Sequence, residues 1–398
     1  MDSATLLARI TDHASRPDPY PLYEELREAG PVVRQADGSY LIGTYHHIAA
    51  LLHDPRMSAD PRTGTRSRSE VPHKPPFLRL DDPEHHRLRT LAMRPFGPPH
   101  SPRRVDGMRG EIDRITKDLM TCFEAGRQVD IVDDFAYPLP VTVICRLLGV
   151  PREDEPLFRA WSDAIVASAD VRPGDDATET DKAGDQARME MGGYLVNLAE
   201  QRRGDPSDDM LSAFANEPDP ALRLTREELA ETAVLLLIAG HETTVNLITN
   251  GVLTLLRRPE QLDLLRREPE LLPHAVEELL RYEPPVHMRE RIPHVDLDVA
   301  GTTIPQGGSV ILALASGNRD PKRFHEPDRF DPTRPDIEHF GFGSGIHLCY
   351  GAPLARLEAQ AALGALIPHL GSAGLVQDPP PYRENAMLRG PRHLTVQL

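Results

Sequence analysis

Cysteine is scarce. The 398-residue chain has three, at Cys122, Cys145 and Cys349. An odd count at wide spacing excludes a disulfide framework and fits a reducing compartment. Cations are outnumbered, with 45 Lys+Arg against 61 Asp+Glu and a formal net charge of −16. That balance excludes nucleic acid as a partner, because phosphate backbones need clustered Lys and Arg. Aromatic residues make up only 5%. No apolar run approaches the ~20 residues that span a bilayer; the longest covers residues 233–240. Residues 1–19 lack a basic segment followed by an apolar one, so no signal peptide is visible. Gly/Ser-rich linkers and internal repeats are missing too. A cytoplasmic protein, off the membrane and built as one domain over 1–398, is the expectation.

Proline, in contrast, is plentiful at 39 residues, about twice ordinary usage, and it punctuates elements without forming a tract. The 39% apolar content is enough for a large core. Segments 170–185 and 60–76 have no hydrophobic period and read as surface loops. Most of the remainder is helical in pattern. The clearest helix starts at Thr225, where Glu228 three residues on completes a capping box, and runs to Pro259. That is about 33 residues, or roughly 50 Å. Short strands are expected at 32–34 and 40–42, flanking Ala36-Asp37-Gly38, and at 297–299 and 310–312, flanking the turn-rich segment 301–308. The fold class is mainly α with small β-sheets (α+β).

The sharpest chemical signal is Phe342-Gly343-Ser-Gly345-Ile-His347-Leu-Cys349-Tyr-Gly351. Its glycines suit a tight loop against a flat ligand. A helix follows, with Pro353 in its first turn. Cys349 therefore sits at a helix N-terminus, where free N–H groups and the macrodipole favour thiolate. Such a cysteine is either a soft metal ligand or a buried structural residue. Zinc is disfavoured, since no second cysteine lies nearby.

This loop resembles the haem-binding loop of the cytochrome P-450 monooxygenases. The resemblance makes Cys349 the axial thiolate of haem b (iron protoporphyrin IX), a ligation that favours O–O cleavage. It places Phe342 and Gly343 in the cofactor-binding loop and His347 at a haem propionate. The segment Leu80-Asp-Asp82-Pro83-Glu-His85-His-Arg-Leu-Arg89 resembles the family's second propionate motif, with His85 and Arg89 as partners. Asp82 stands where the family commonly has proline, and no consequence for the ligands is expected. Arg291, ten residues before Gly301, matches a third propionate residue; Arg289 competes for that place. Glu278 and Arg281 match the family's Glu-x-x-Arg, and Arg334 is the implied third member of a buried charge network.

The long helix reads Leu236-Leu-Ile-Ala239-Gly240-His241-Glu242-Thr243-Thr244. A glycine and four polar residues in an apolar run cost helix stability. The resemblance supplies a reason. Thr243 is implied as hydrogen-bond donor to the oxygen being activated, Glu242 as proton relay, and Gly240 as the point of close ligand approach. The implied substrate walls are Phe77, Leu78, Leu236, Ala239, Val286, Met288 and Met387, which suit a lipophilic small molecule such as a polyketide, terpenoid or steroid.

The family fold that follows is one helix-rich domain with haem between the long central helix and the Cys-bearing helix. Similarity to the soluble bacterial members implies a monomer that uses O2 and takes electrons from a ferredoxin and its reductase. Arg87, Arg89, Arg94, Arg103 and Arg104, with no acid between 85 and 104, suggest a positive patch for an acidic ferredoxin. The leading reaction is insertion of one oxygen atom by hydroxylation or epoxidation. A peroxygenase, an O2-independent rearrangement enzyme and a non-catalytic haem carrier or sensor are the alternatives. Retention of Glu242-Thr243 favours the monooxygenase.

Overall fold

Helix Arg226–Leu256 is the axis on which the site is built. Thr225 caps it: the hydroxyl accepts the Glu228 N–H while the Glu228 carboxylate accepts the Thr225 N–H. This is the expected capping box, and at 31 residues the helix is about 46 Å long. The structure is a computed structural model that describes residues 5–65, 74–96, 104–124, 126–170 and 179–398. By length and hydropathy the helix passes for a membrane span, but 72% of its most apolar window is buried in the protein. Helices Pro138–Leu148, Glu179–Gln201 and Ala352–Leu366 pack around it, so it is a core helix, apolar on most of its circumference.

The principal sheet has five strands in the order Val33–Arg34, Tyr40–Ile42, Val310–Leu312, Arg289–Pro293, Met57–Ser58. Tyr40–Ile42 runs parallel to Val310–Leu312, with Leu41 opposite Ile311. Arg289–Pro293 is antiparallel to Val310–Leu312, with Arg291 opposite Val310.

Two expectations are corrected. Strand Leu297–Val299 does not wait for Val310–Leu312; it pairs with Thr302–Ile304 inside the turn-rich segment. Ala300 and Gly301, with φ of 52° and 81°, reverse the chain in two residues, which leaves room for a strand where only turn residues were read. The loop expected over 170–185 also ends early, because helix Glu179–Gln201 begins inside it. Glu179 and Asp181 occupy that helix's first turn, where acids meet the free N–H groups. Residues 171–178 and 66–73 of the two expected loops lie outside the described residues. In the second loop, Pro61–Thr63 forms a short helical turn capped by Asp60.

Candidate active site

The Cys349 loop is closed by its own backbone. The Cys349 N–H donates to Phe342 O at 2.9 Å, and Gly343 and Gly345 take φ of 71° and 69°. At Gly345 a Cβ would run into the Leu52 carbonyl, so glycine is required there. Helix Ala352–Leu366 follows at once. Cys349 is exposed whereas Cys145 is buried. Burial pushes the Cys145 thiol up to about 12, which makes it the inert structural cysteine.

Cys349 corrects the thiolate expectation in part. Although the residue keeps exposed surface, desolvation by the protein packed around its sulfur dominates and raises its thiol above the usual value, while the Gly351 and Ala352 N–H groups with Arg89 and Arg289 pull the other way. The helix terminus helps, but it does not by itself deprotonate the sulfur. A positive metal ion at the sulfur would supply what is missing.

Cationic side chains gather beside it. The His85 and His347 rings lie 4.3 Å apart, and His85 Nε2 and His347 Nδ1 are buried without a hydrogen-bond partner among the described residues. Burial, then Arg291, His85, Arg89 and Arg289, push His347 down to about 3. Arg89 donates to Leu348 O at 2.7 Å. Arg289 and Arg291 are two apart on one strand and share a face. Arg291 has Asp81 as an electrostatic neighbour. Arg289 is pushed down to about 10 by burial and by Arg291 and Arg79, and its guanidinium donates to Met387 Sδ at 3.5 Å. Both arginines therefore act on His347, and neither alternative is eliminated. Imidazole nitrogens without partners among the described residues, and guanidinium groups with few acids near them, next to a soft sulfur fit a metalloporphyrin with two carboxylate arms.

Asp82 does matter, contrary to expectation. Its Oδ1 lies 3.2 Å from His85 Nδ1 and accepts the His86 N–H at 3.1 Å. An ionised carboxylate only accepts, so Nδ1 carries the proton and the free Nε2 is the atom turned to a ligand.

On the long helix Ala239 is exposed and Thr243 half-buried, one turn apart and facing one way. Thr243 Oγ1 donates to Ala239 O at 3.0 Å. Glu242 is buried, 3.1 Å from His241 Nε2 and 3.1 Å from an Arg383 guanidinium nitrogen. Among the described residues no hydrogen bond joins it to Thr243. Gly240 serves packing: a Cβ there would lie 2.8 Å from Ile144 Cδ1, so its close approach is to Pro138–Leu148 and not to a ligand.

The charge network is assembled as the spacing implied. Arg281 Nε meets Glu278 Oε2 at 2.7 Å, Arg334 Nε meets Glu278 Oε1 at 3.1 Å, and Arg281 also donates to the carbonyls of Asn318 and Pro327. Sequence reasoning missed a neighbouring contact. Glu277 holds Arg356, on the Cys-bearing helix, at 2.6 and 2.8 Å; two acids at 277 and 278 facing different partners were the available signal.

Of the expected substrate walls, Val286 and Met387 share an apolar cluster with Leu388, Val166 and the partly buried Ile238. The last three were not anticipated. Leu236 sits in the main core. Met288 is a correction: fully buried, it packs with Leu7, Ile10, Tyr23 and Leu41, because strand alternation turns it to the opposite side from Arg289. Phe77 is another. It packs with Leu80, Leu88 and Ala92 and lies 6.0 Å from the Tyr350 ring, leaving half-buried Leu78 as the member of the pair with free surface. The arginine patch is also corrected. Arg87 pairs with Glu228, Arg94 with Glu217 at 3.5 Å and Arg104 with Asp208 at 2.7 Å, acids brought in from distant sequence. Arg103 lies outside the described residues.

Comparison with known proteins agrees with this geometry. The family model for Cytochrome P450 matches residues 22–398. The chain is 42% identical over 392 residues to cytochrome P450 monooxygenase PikC of Streptomyces venezuelae, covering 96% of this chain and 91% of that protein. It is 41% identical over 394 residues to vitamin D(3) 25-hydroxylase of Pseudonocardia autotrophica, covering 96% and 94%. The ligand-free crystal structure of Mycobacterium smegmatis CYP164A2 superimposes with a TM-score of 0.92 at 38% identity, covering 99% of each chain.

Proposed function

Because the chain belongs to the cytochrome P450 family, monooxygenases built on haem b, we propose that it inserts one oxygen atom of O2 into a lipophilic small molecule. The net reaction is R–H + O2 + two electrons + two protons giving R–OH and water, as hydroxylation or epoxidation. Haem b supplies the reductive activation of O2. Cys349 would hold the iron through sulfur, and Arg89, Arg289, Arg291, His85 and His347 would hold the propionates. The observation that carries this reading is the convergence of those cations, with imidazole nitrogens unpartnered among the described residues, beside the sulfur.

The chain's own side chains then divide the work. Thr243 keeps its hydroxyl proton on Ala239 O at rest and releases it to the oxygen being activated by rotating about χ1. Glu242 holds the charge from which protons are passed on. Val286, Met387, Leu388 and Ile238 form an apolar wall that orients the substrate and excludes water. A relative that hydroxylates vitamin D(3) favours a rigid, steroid-sized skeleton over a short chain. Electrons come from a ferredoxin and its reductase, in the cytoplasm, to a monomeric single domain.

The test is optical. The reduced protein under carbon monoxide should show the red-shifted Soret band of thiolate ligation, and Cys349→His should lose it. Steroid and macrolide libraries screened for a spin-state shift then identify the substrate class. A Soret band without the red shift refutes the reading.

A further inference from the structure

Two side chains tie the end of helix Glu155–Ser168 to the turn that carries Met387 and Leu388. Asp170 lies just past that helix. Its Oδ1 accepts the N–H groups of Ala386 and Met387 at 2.9 and 3.1 Å, and its Oδ2 lies 3.0 Å from the Ala386 nitrogen. Among the described residues these two N–H groups have no other acceptor. Asn385 makes the contact in the reverse direction. Its Nδ2 donates to the Val166 carbonyl at 2.8 Å, and its Oδ1 accepts the Leu388 N–H at 2.7 Å. Arg16 holds the head of the same turn by donating to the Glu384 carbonyl at 3.0 Å. On the far side the bonds are between backbones: the Met387 carbonyl accepts the His287 N–H at 2.8 Å, and the Pro285 carbonyl accepts the Arg389 N–H at 2.9 Å. The turn is thus fixed to residues 285–287 by its main chain and to the helix by the side chains of Asp170 and Asn385.

The helix itself does not explain the acid. A carboxylate just beyond a helix C-terminus faces the negative end of the macrodipole and is disfavoured there. The turn's paired N–H groups do explain it, since hydrogen bonds to an ionised carboxylate are stronger than those between neutral groups. Val166 belongs to the helix, Met387 and Leu388 belong to the turn, and all three share one apolar cluster with Val286. The two polar side chains that join the segments therefore also set the spacing across the apolar wall. We infer that Asp170 and Asn385 are positioning residues that fix Met387 and Leu388 against Val166 and so determine which lipophilic ligands the site holds. This rests on the monooxygenase reading of the site. A wall held in place beforehand need not be ordered by the ligand, which raises affinity for any molecule large enough to reach it.

Two measurements on the holoenzyme test it. Amide hydrogen exchange at Ala386 and Met387 should be about tenfold faster in Asp170→Ala than in wild type. Asp170→Asn should fall between them, because its amide oxygen still accepts. Equal exchange in wild type and Asp170→Ala overturns the inference. The second measurement titrates the Soret band with imidazole, too small to reach the wall, and with clotrimazole, a bulky triaryl imidazole. Asp170→Ala and Asn385→Ala should each weaken clotrimazole about tenfold and leave imidazole within about twofold of wild type. An equal loss for both ligands, or a loss for neither, overturns the inference. So does a wild type that binds clotrimazole no more tightly than imidazole, since the wall then contributes nothing. Should Asp170→Ala not fold, Asp170→Asn and Asn385→Ala carry both readouts. A wild-type holoenzyme without the thiolate-type Soret band under carbon monoxide would instead refute the underlying reading, whatever the exchange rates show.

Discussion

Glu278 Oε2 lies 2.7 Å from Arg281 Nε, and neither side chain retains exposed surface. The carboxylate also meets Arg334 Nε at 3.1 Å and the Asp331 N–H at 3.0 Å. Removing it leaves two guanidinium groups buried beside each other. Glu278→Ala should therefore cost about 3–5 kcal/mol, where a surface i,i+3 pair would cost a few tenths. Because Arg281 ties down the carbonyls of Asn318, Pro327 and Arg329, the loss should spread to the segment leading into the Cys349 loop. Urea denaturation reads it as a lower midpoint with reduced haem retention. An unfolding free energy within about 0.5 kcal/mol of wild type would contradict the buried role.

The neighbouring acid gives a pH prediction. Burial by itself would raise Glu277, but hydrogen bonds from Arg356 and His339 outweigh it and bring its carboxyl from 4.5 down to about 2. A folded value below the unfolded one means the stabilisation is complete above about pH 4.5 and is lost as pH falls towards about 2. The pair is partly exposed, at 26% and 38%, so the contribution is about 1–2 kcal/mol after screening. Stability measured from pH 6 to pH 3 should fall more steeply in wild type than in Glu277→Gln. Parallel curves would show that the Glu277–Arg356 pair contributes nothing.

What could be read in the sequence is what has a short-range signature. The Thr225/Glu228 capping box gave the start of the long helix, and the spacing of Glu278 and Arg281 gave their contact. The Cys349 motif carried the fold only through its resemblance to a known family; Gly343 and Gly345 by themselves specify no more than a tight loop. Partners distant in sequence left no trace. Glu228, Glu217 and Asp208 neutralise arginines more than a hundred residues upstream, and Arg383 reaches Glu242 from 141 residues away. Met288 faces away from the site because it precedes a strand, Arg289–Pro293, whose facing is set by pairing with Val310–Leu312, which composition does not reveal. Gly240 was misjudged because Ile144 fills the space beside it.

The corrected arginine patch changes what a docking test should show. Arg104 pairs with Asp208, whose side chain is 95% exposed, and such a pair is worth about 0–1 kcal/mol. Arg104 can exchange Asp208 for a ferredoxin carboxylate at little cost, whereas Arg87 is bound to the buried Glu228. Arg104→Glu should slow reduction by an acidic ferredoxin by about threefold at low salt and flatten its salt dependence. Arg87→Glu should act mainly through stability, because it places a second acid beside Glu228. Stopped-flow reduction at two ionic strengths separates the two; an unaltered rate in Arg104→Glu removes this face as the docking surface.

Thr243 offers the most direct test of the distal site. Its hydroxyl spends its single proton on Ala239 O at 3.0 Å, so in the resting helix it is held back from the cleft, and a χ1 rotation suffices to redirect it. Thr243→Ala removes the hydroxyl but leaves a helix former in its place, so folding and the carbon monoxide spectrum should be unchanged. Protons would then reach the oxygen less selectively, and electrons should be diverted from product to hydrogen peroxide, with product formation falling by about tenfold or more. Thr243→Ser keeps the hydroxyl and should recover most of the coupling; its failure to do so would point to the methyl group's packing. Measured as product and peroxide per electron pair, full coupling in Thr243→Ala would show that the hydroxyl has no part in proton delivery and that Glu242 must reach the cleft by another route.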